Sequence, residues 1–247
     1  MATLTSNRYV KSNYIGETLL FIIVNRCYNE GMKVIPREAQ GVVTNSAAIR
    51  NLRATLSLSE IQFKVLFGSM FGDGSLVTNS WGRNYRLQMQ QSERQKKYLF
   101  WKYEIFKDFV LSPPKYEKAT NSWKFRTISH SEFTRYRKIF YHDRKKKVPI
   151  NINEILTHPL SLAVWYMDDG ALTTRKDSFI LNTQSFSRDD NIRLQKCLEK
   201  NFHIKVNLNR DKSYWRLYIR KESATLFEGL IKEHVMALMN EKLLVAP

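Results

Sequence analysis

Leu66-Phe67-Gly68-Ser69-Met70-Phe71-Gly72-Asp73-Gly74 and Leu162-Ala163-Val164-Trp165-Tyr166-Met167-Asp168-Asp169-Gly170 lie 96 positions apart, and each is an apolar run closed by Asp-Gly. Ser57-Leu58-Ser59-Glu60 ahead of the first has the form of a capping box. With Ile61, Val65, Leu66, Met70 and Phe71 at helical spacing, it predicts a helix from about Leu58 to a glycine stop at Gly74. In the second run Pro159 suits a first helical turn and Gly170 the stop. Gly68 and Gly72, four apart, leave one face of the first helix open to close approach by another backbone.

The segments downstream of the two runs also match. Alternating stretches, Tyr85 to Gln90 and Phe179 to Gln184, read as strands, and each reaches a glutamine, Gln90 or Gln184. Helices are expected over Lys96 to Val110 and Asp189 to Asn201, then aromatic and basic strands over Trp123 to Arg126 and Tyr214 to Arg220, then helices over Ser131 to Phe140 and Ser223 to His234. Each half closes on a lysine before an apolar turn, Lys146 or Lys242. Asp73 to Lys146 and Asp169 to Lys242 are both 73 positions. The reading is an α+β chain built of two αββαββα repeats, residues 56–150 and 151–247, behind an extension over residues 1–55. That extension carries one apolar helix-like stretch, Leu19 to Tyr28, and resembles a transit peptide loosely; a DNA-contacting arm is the alternative.

Both motif aspartates are placed at helix C-termini, where the macrodipole disfavours a carboxylate by roughly 0.3–1 kcal/mol. Two such acids ask for compensating positive charge. If the two helices pack together, Asp73 and Asp169 emerge at one end as hard oxygen ligands suited to Mg²⁺ with water and phosphate oxygens. Asp168 competes with Asp169 for the role, and the Asp-Gly alignment favours Asp169.

Composition narrows the partner. Forty Lys and Arg against 23 Asp and Glu give a formal charge of +17, which points to a polyanion. A 43% hydrophobic content can supply a core. The apolar patch Thr18 to Val24 is too short to span a bilayer. Cys27 and Cys197 make neither a disulfide framework nor a zinc cluster, and the five scattered histidines read as structural. Asp143-Arg144-Lys145, the one Asp/Glu-x-Lys spelling, sits in a basic run without a strand signal.

The paired motifs resemble the LAGLIDADG homing endonucleases over residues 58 to 247, and the flanks look like the monomeric enzymes encoded in organellar group I introns. The first copy keeps Leu66, Gly68, Asp73 and Gly74; the second keeps Leu162, Ala163, Asp169 and Gly170 but has Val164 where the family prefers glycine. The resemblance implies a pseudo-twofold monomer whose motif helices form the central interface and whose antiparallel sheets make a saddle over a long, asymmetric double-stranded DNA site. It implies that Asp73 and Asp169 bind the catalytic metals, that Lys146 and Lys242 lie near the scissile phosphates, and that Gln90 and Gln184 orient water. It also implies a mitochondrion or chloroplast as compartment, a bacterial cytoplasm being the alternative. Some proteins of this fold act as RNA maturases on intron RNA, and a non-catalytic DNA-binding regulator is a further alternative.

Candidates for reading base edges are Arg83, Arg86, Gln88, Lys124, Arg126, Lys205, Asn207, Asn209, Arg216 and Arg220, since Arg pairs with guanine and Asn or Gln with adenine through two hydrogen bonds. Loop cations such as Arg175 and Lys176 suit phosphates.

Overall fold

A computed structural model of the protein describes residues 47–78 and 84–244, all within one compact unit spanning residues 35–247. The Leu19 to Tyr28 stretch, Cys27 and Arg83 lie outside the described residues.

The chain runs α1 (Ala47–Thr55), α2 (Glu60–Phe71), β1 (Ser75–Thr78), β2 (Tyr85–Ser92), α3 (Lys96–Ile105), β3 (Lys115–Glu117), β4 (Ser122–Arg126), α4 (Ser131–Phe140), a β5 (Tyr141–His142) and β6 (Lys145–Lys146) hairpin, and the short α5 (Ile152–Ile155). It then repeats as α6 (Pro159–Asp169), β7 (Gly170–Leu172), β8 (Phe179–Leu181), α7 (Arg188–Phe202), β9 (Val206–Asp211), β10 (Tyr214–Ile219) and α8 (Lys221–Ile231), closing on a 3₁₀ turn over Ala237–Lys242. Two antiparallel sheets result, in the orders β1-β2-β4-β3 and β7-β8-β10-β9. The expected αββαββα unit is present twice.

Local signals set the motif helices with two corrections. The cap of α2 is Ser59, not Ser57: the Gln62 amide donates to Ser59 Oγ at 3.4 Å, and the Ser59 amide donates to Gln62 Oε1 at 2.9 Å. Gln at the third helical position does what Glu60 was expected to do two residues earlier. The helix also stops at Phe71 with Gly72 as cap, and the Gly74 amide folds back onto the Ser69 carbonyl at 2.9 Å. Neither Gly74 nor Gly170 adopts the left-handed conformation; each is glycine because a Cβ would strike its own helix, on Ser69 and Tyr166 respectively. In α6 the His158 ring accepts the Leu160 amide at 3.0 Å ahead of Pro159. This role needs a neutral ring, and burial lowers the His158 pKa accordingly.

The two motif helices pack against each other through the glycine face. A Cβ on Gly68 would fall on the Ser161 carbonyl and 2.7 Å from Val164 Cβ, and one on Gly72 would overlap the Asp168 side chain. The contacts of Gly68 with Val164 and of Gly72 with Asp168 each join residues 96 apart in sequence, so they lie on the pseudo-twofold axis. Val164 therefore does not loosen the interface, because Gly68 opposite supplies the room. Ser161 Oγ adds a bond to the Lys64 carbonyl at 2.9 Å. Phe71 and Trp165, both buried, meet across this seam with ring centroids 5.3 Å apart. At about 1.5–3 kcal/mol for each large apolar side chain, it is a substantial part of the core.

Strand alternation then divides the sheet faces. Leu87, Met89 and Gln91 of β2 point inward, while the register pairs Gln88 with Arg126 and Gln90 with Lys124 on the opposite face. In the second sheet Arg216 pairs with Asn209 and Tyr218 with both Asn207 and Ile180. Cys197 is buried, its thiol 3.7 Å from the Ile152 carbonyl, and burial pushes its pKa up to about 12.

Candidate active site

Helix packing brings the C-terminal ends of α2 and α6 together, and three carboxylates with three ammonium groups converge there. Asp73 lies two residues beyond α2, Asp168 and Asp169 end α6, and Lys102, Lys146 and Lys242 arrive from α3, β6 and the C-terminal 3₁₀ turn. Lys146 Nζ donates to the Gly72 carbonyl at 2.5 Å and Lys242 Nζ to the Met167 carbonyl at 2.7 Å. Each lysine thus caps the negative end of one motif helix. Of the run Lys145 to Lys147, Lys146 is the one pointing inward. Strand alternation puts Lys145 outside, and Lys147 is tied by its backbone to the Phe140 carbonyl at 2.8 Å.

Part of the positive charge that the two helix-end acids require is therefore supplied by lysines. It does not suffice. Burial and the charge of Asp168 raise the Asp73 pKa, and burial with the charges of Asp73 and Asp168 raises that of Asp169 to about 7. Burial lowers Lys146 and Lys242, against the pull of the same three carboxylates. Asp73 accepts one side-chain hydrogen bond, from Gln91 at 2.8 Å, and the Asp169 carboxylate accepts none from the described residues. Two hard-oxygen groups, Asp73 open to solvent and Asp169 half-buried, both with carboxyl pKa values raised and lone pairs free, suit a hard divalent cation. Among the described residues no three His, Cys, Asp or Glu gather into a metal cage.

Asp168 resolves differently from its neighbour. Its carboxylate is buried against Lys102 Nζ at 2.6 Å and also accepts the Asp73 amide at 3.2 Å. Sequence reading missed Lys102, which looked like one cation among forty; its place on the core side of α3, next to Tyr98 and Leu99, was the available signal.

The two glutamine candidates are placed differently, and a third glutamine lies nearer the motif aspartate. Gln91, not Gln90, reaches Asp73, because inward and outward positions alternate along β2. Gln90 faces the other side and donates to Ser122 Oγ at 2.7 Å and Thr120 Oγ1 at 3.2 Å. Asp73, Gln90, Gln91, Gln95, Thr120 and Ser122 line one shallow open pocket. Gln184 lies beyond the end of β8, in a turn, with no hydrogen bond from its side chain to the described residues.

Of the recognition candidates, Arg86, Gln88, Lys124 and Arg126 share the outward face of the first sheet, and Asn207, Asn209 and Arg216 that of the second. Arg86 and Arg126 are diagonal neighbours, and burial followed by the Arg126 charge lowers the Arg86 pKa. Lys124, Arg216, Lys205 and Arg220 pair with Glu117, Asp211 and Glu222 at 2.7–3.6 Å. Such exposed pairs are worth about 0–1 kcal/mol and yield readily to a phosphate or base. Arg175 and Lys176 are exposed in the β7–β8 turn.

A family model described as the LAGLIDADG DNA endonuclease family matches residues 63–227. DNA endonuclease I-ChuI of Chlamydomonas applanata is 30% identical over 210 residues, covering 76% of this chain and 96% of its own. A probable intron-encoded endonuclease of Wickerhamomyces canadensis is 27% identical over 223 residues, covering 84% and 95%. The solved structure of homing endonuclease I-WcaI, bound to its DNA recognition sequence, superposes with a TM-score of 0.77 at 24% identity, covering 87% of this chain and 100% of that one. That last likeness is one of fold. No helix among the described residues is long and apolar enough to cross a membrane.

Proposed function

Because this chain belongs to the LAGLIDADG DNA endonuclease family, we propose that it is a site-specific homing endonuclease that hydrolyses phosphodiester bonds in both strands of a long DNA site as a monomer, with Mg²⁺. The observation that carries the reading is that Asp73 and Asp169, one from each half, lie near enough for the Asp73 charge to raise the Asp169 pKa, at helix ends each capped by a lysine. A net charge of +17 and two outward sheet faces rich in Arg, Asn and Gln supply the polyanion-binding surface.

In this reading Asp73 and Asp169 would hold a divalent cation, and the chemistry such an ion would supply there is activation of water and neutralisation of charge on the phosphate. Lys146 and Lys242 keep a compact positive charge beside the reacting phosphates and fix the helix ends that carry the aspartates. Gln91 holds one oxygen of Asp73 and leaves the other free. Gln90, Arg86, Gln88 and Arg126 face the duplex from the first sheet, and Asn207, Asn209, Arg216, Lys205 and Arg220 from the second. Arg175 and Lys176 meet phosphates. The compartment that fits is an organelle.

The test is selection of cleaved duplexes from a randomised library with purified protein and Mg²⁺, followed by Asp73→Asn and Asp169→Asn. Loss of double-strand cleavage with retained binding is expected; undiminished cutting by both variants defeats the reading. A splicing assay on an intron containing the gene decides the RNA alternative.

A further inference from the structure

Asp168 and Lys102 form an ion pair with side chains 0% and 1% exposed. A buried pair of this kind rarely stabilises a fold more than apolar residues of the same size would, so its position is informative. Asp168 comes from the second motif helix, yet every bond it makes serves the first half. Its Oδ2 accepts the Asp73 backbone amide at 3.2 Å, and its Oδ1 accepts Gln91 Nε2 at 3.3 Å and Lys102 Nζ at 2.6 Å. Gln91 in turn donates to Asp73 Oδ2 at 2.8 Å. Main chain and carboxylate of Asp73 are thus both tied to one buried group, and Lys102, also 4.3 Å from the Tyr98 ring centroid, anchors that group from behind.

The other half has none of this. Sheet register gives the equivalences: Gln88 pairs with Ser75 and with Arg126, while Ile180 pairs with Ala171 and with Tyr218, so 88 answers to 180 and 126 to 218, a shift of 92 in both. The helices between them, starting at Lys96 and Arg188, keep the same shift. Gln91 then corresponds to Thr183, whose hydroxyl donates to the Trp215 carbonyl instead, and Lys102 to buried Leu194. In the motif helices, Asp168 corresponds to Gly72, which has no side chain to offer Asp169. Sterics enforce the inequality, because a Cβ on Gly72 would overlap Asp168. The axis has room for one carboxylate.

We propose that Asp168, held by Lys102, is a positioning residue for Asp73 alone, so that the two half-sites are chemically unequal and Asp168 governs cutting of one strand. The proposal deepens the endonuclease reading and rests on it for the strand effect. The test uses a selected target duplex end-labelled on each strand in turn, with the full-length protein and Asp168→Asn. Its amide cannot accept from Asp73 and Gln91 while presenting a charge to Lys102. One strand should slow by at least tenfold and the other by less than threefold, so that nicked product accumulates. Equal slowing of both strands, or none, overturns the proposal. A second measurement is independent of cleavage: amide hydrogen exchange in the free protein should quicken at least tenfold at Asp73 and stay unchanged at Asn182, whose amide bonds the Asp169 carbonyl. Unchanged exchange at Asp73, or a rise at both, also overturns it. If wild type cuts no duplex, the endonuclease reading fails and exchange alone decides the positioning. Should Asp168→Asn fail to fold, Lys102→Met with Asp168→Asn removes both charges and carries the same expectations.

Discussion

The ammonium of Lys146 donates to the carbonyl of Gly72 at 2.5 Å, so the last turn of α2 and the residue before Asp73 are fixed by a cation delivered from the far end of the same repeat. Lys242 does the same for Met167 at the end of α6. Replacing Lys146 with Met keeps the stem and removes the charge. Stability should fall by about 1 kcal/mol through the lost helix-end interaction, and the cleavage rate by about 10²-fold through lost charge stabilisation, with DNA affinity changed less than threefold. Single-turnover kinetics alongside filter binding separate these; a rate within threefold of wild type denies Lys146 a part in the chemistry.

Gln91 and Gln90 are neighbours in sequence with opposite prospects. Gln91→Leu frees Asp73 Oδ2 of its one side-chain hydrogen bond and should slow cleavage at least tenfold while sparing sequence preference. Gln90→Leu changes a group on the outward face and should leave the rate on bound DNA alone while relaxing preference at one or two base pairs, about 1–3 kcal/mol per lost bidentate contact. Profiling cut sites of both variants checks the pair; identical profiles would contradict the face assignment.

Gly68 faces the Ser161 carbonyl and Val164 Cβ across the motif-helix seam. Gly68→Ala forces the helices apart and should cost about 1–3 kcal/mol, read as a lower midpoint in urea. Adding Val164→Ala removes only the Cγ1 contact and leaves both the Val164 Cβ and the Ser161 carbonyl in the way, so recovery should be slight. Full stability in Gly68→Ala would mean the helices do not meet there.

The Asp169 carboxyl, raised from 3.8 to about 7 chiefly by burial, makes stability depend on pH. The folded state holds this proton more tightly than the unfolded chain does. Its contribution is therefore complete below about pH 4, shrinks as pH rises, and is gone above about pH 7. Without metal, Asp169→Asn should be more stable than wild type at pH 8. Three pKa units set a ceiling of about 4 kcal/mol, and partial solvent access reduces it to roughly 1–2 kcal/mol. Mg²⁺ should raise the melting temperature of wild type at pH 8 more than that of the variant. Thermal unfolding in EDTA and in Mg²⁺ at pH 5 and pH 8 reads both effects, and equal stability in EDTA at pH 8 would show that Asp169 is not strained.

The features that the sequence determined by itself were periodic and duplicated: the order of helices and strands, the twofold αββαββα plan, the two Asp-Gly ends, and the lysines 73 positions downstream. They arise from local rules of capping, alternation and spacing, which repeat whenever the chain repeats. Only the tertiary structure decided which member of each adjacent pair does the work. Gln91 rather than Gln90 reaches Asp73 because sheet register turns one inward. Lys146 is the inward member of its basic run because β6 alternates, and Asp168 is separated from Asp169 because only one carboxylate fits opposite Gly72. Lys102 and Leu194 occupy equivalent places in the two halves, yet one completes a buried ion pair and the other packs in the core. Partners drawn from different elements, and space shared across a pseudo-twofold axis, leave no periodic trace in a linear sequence.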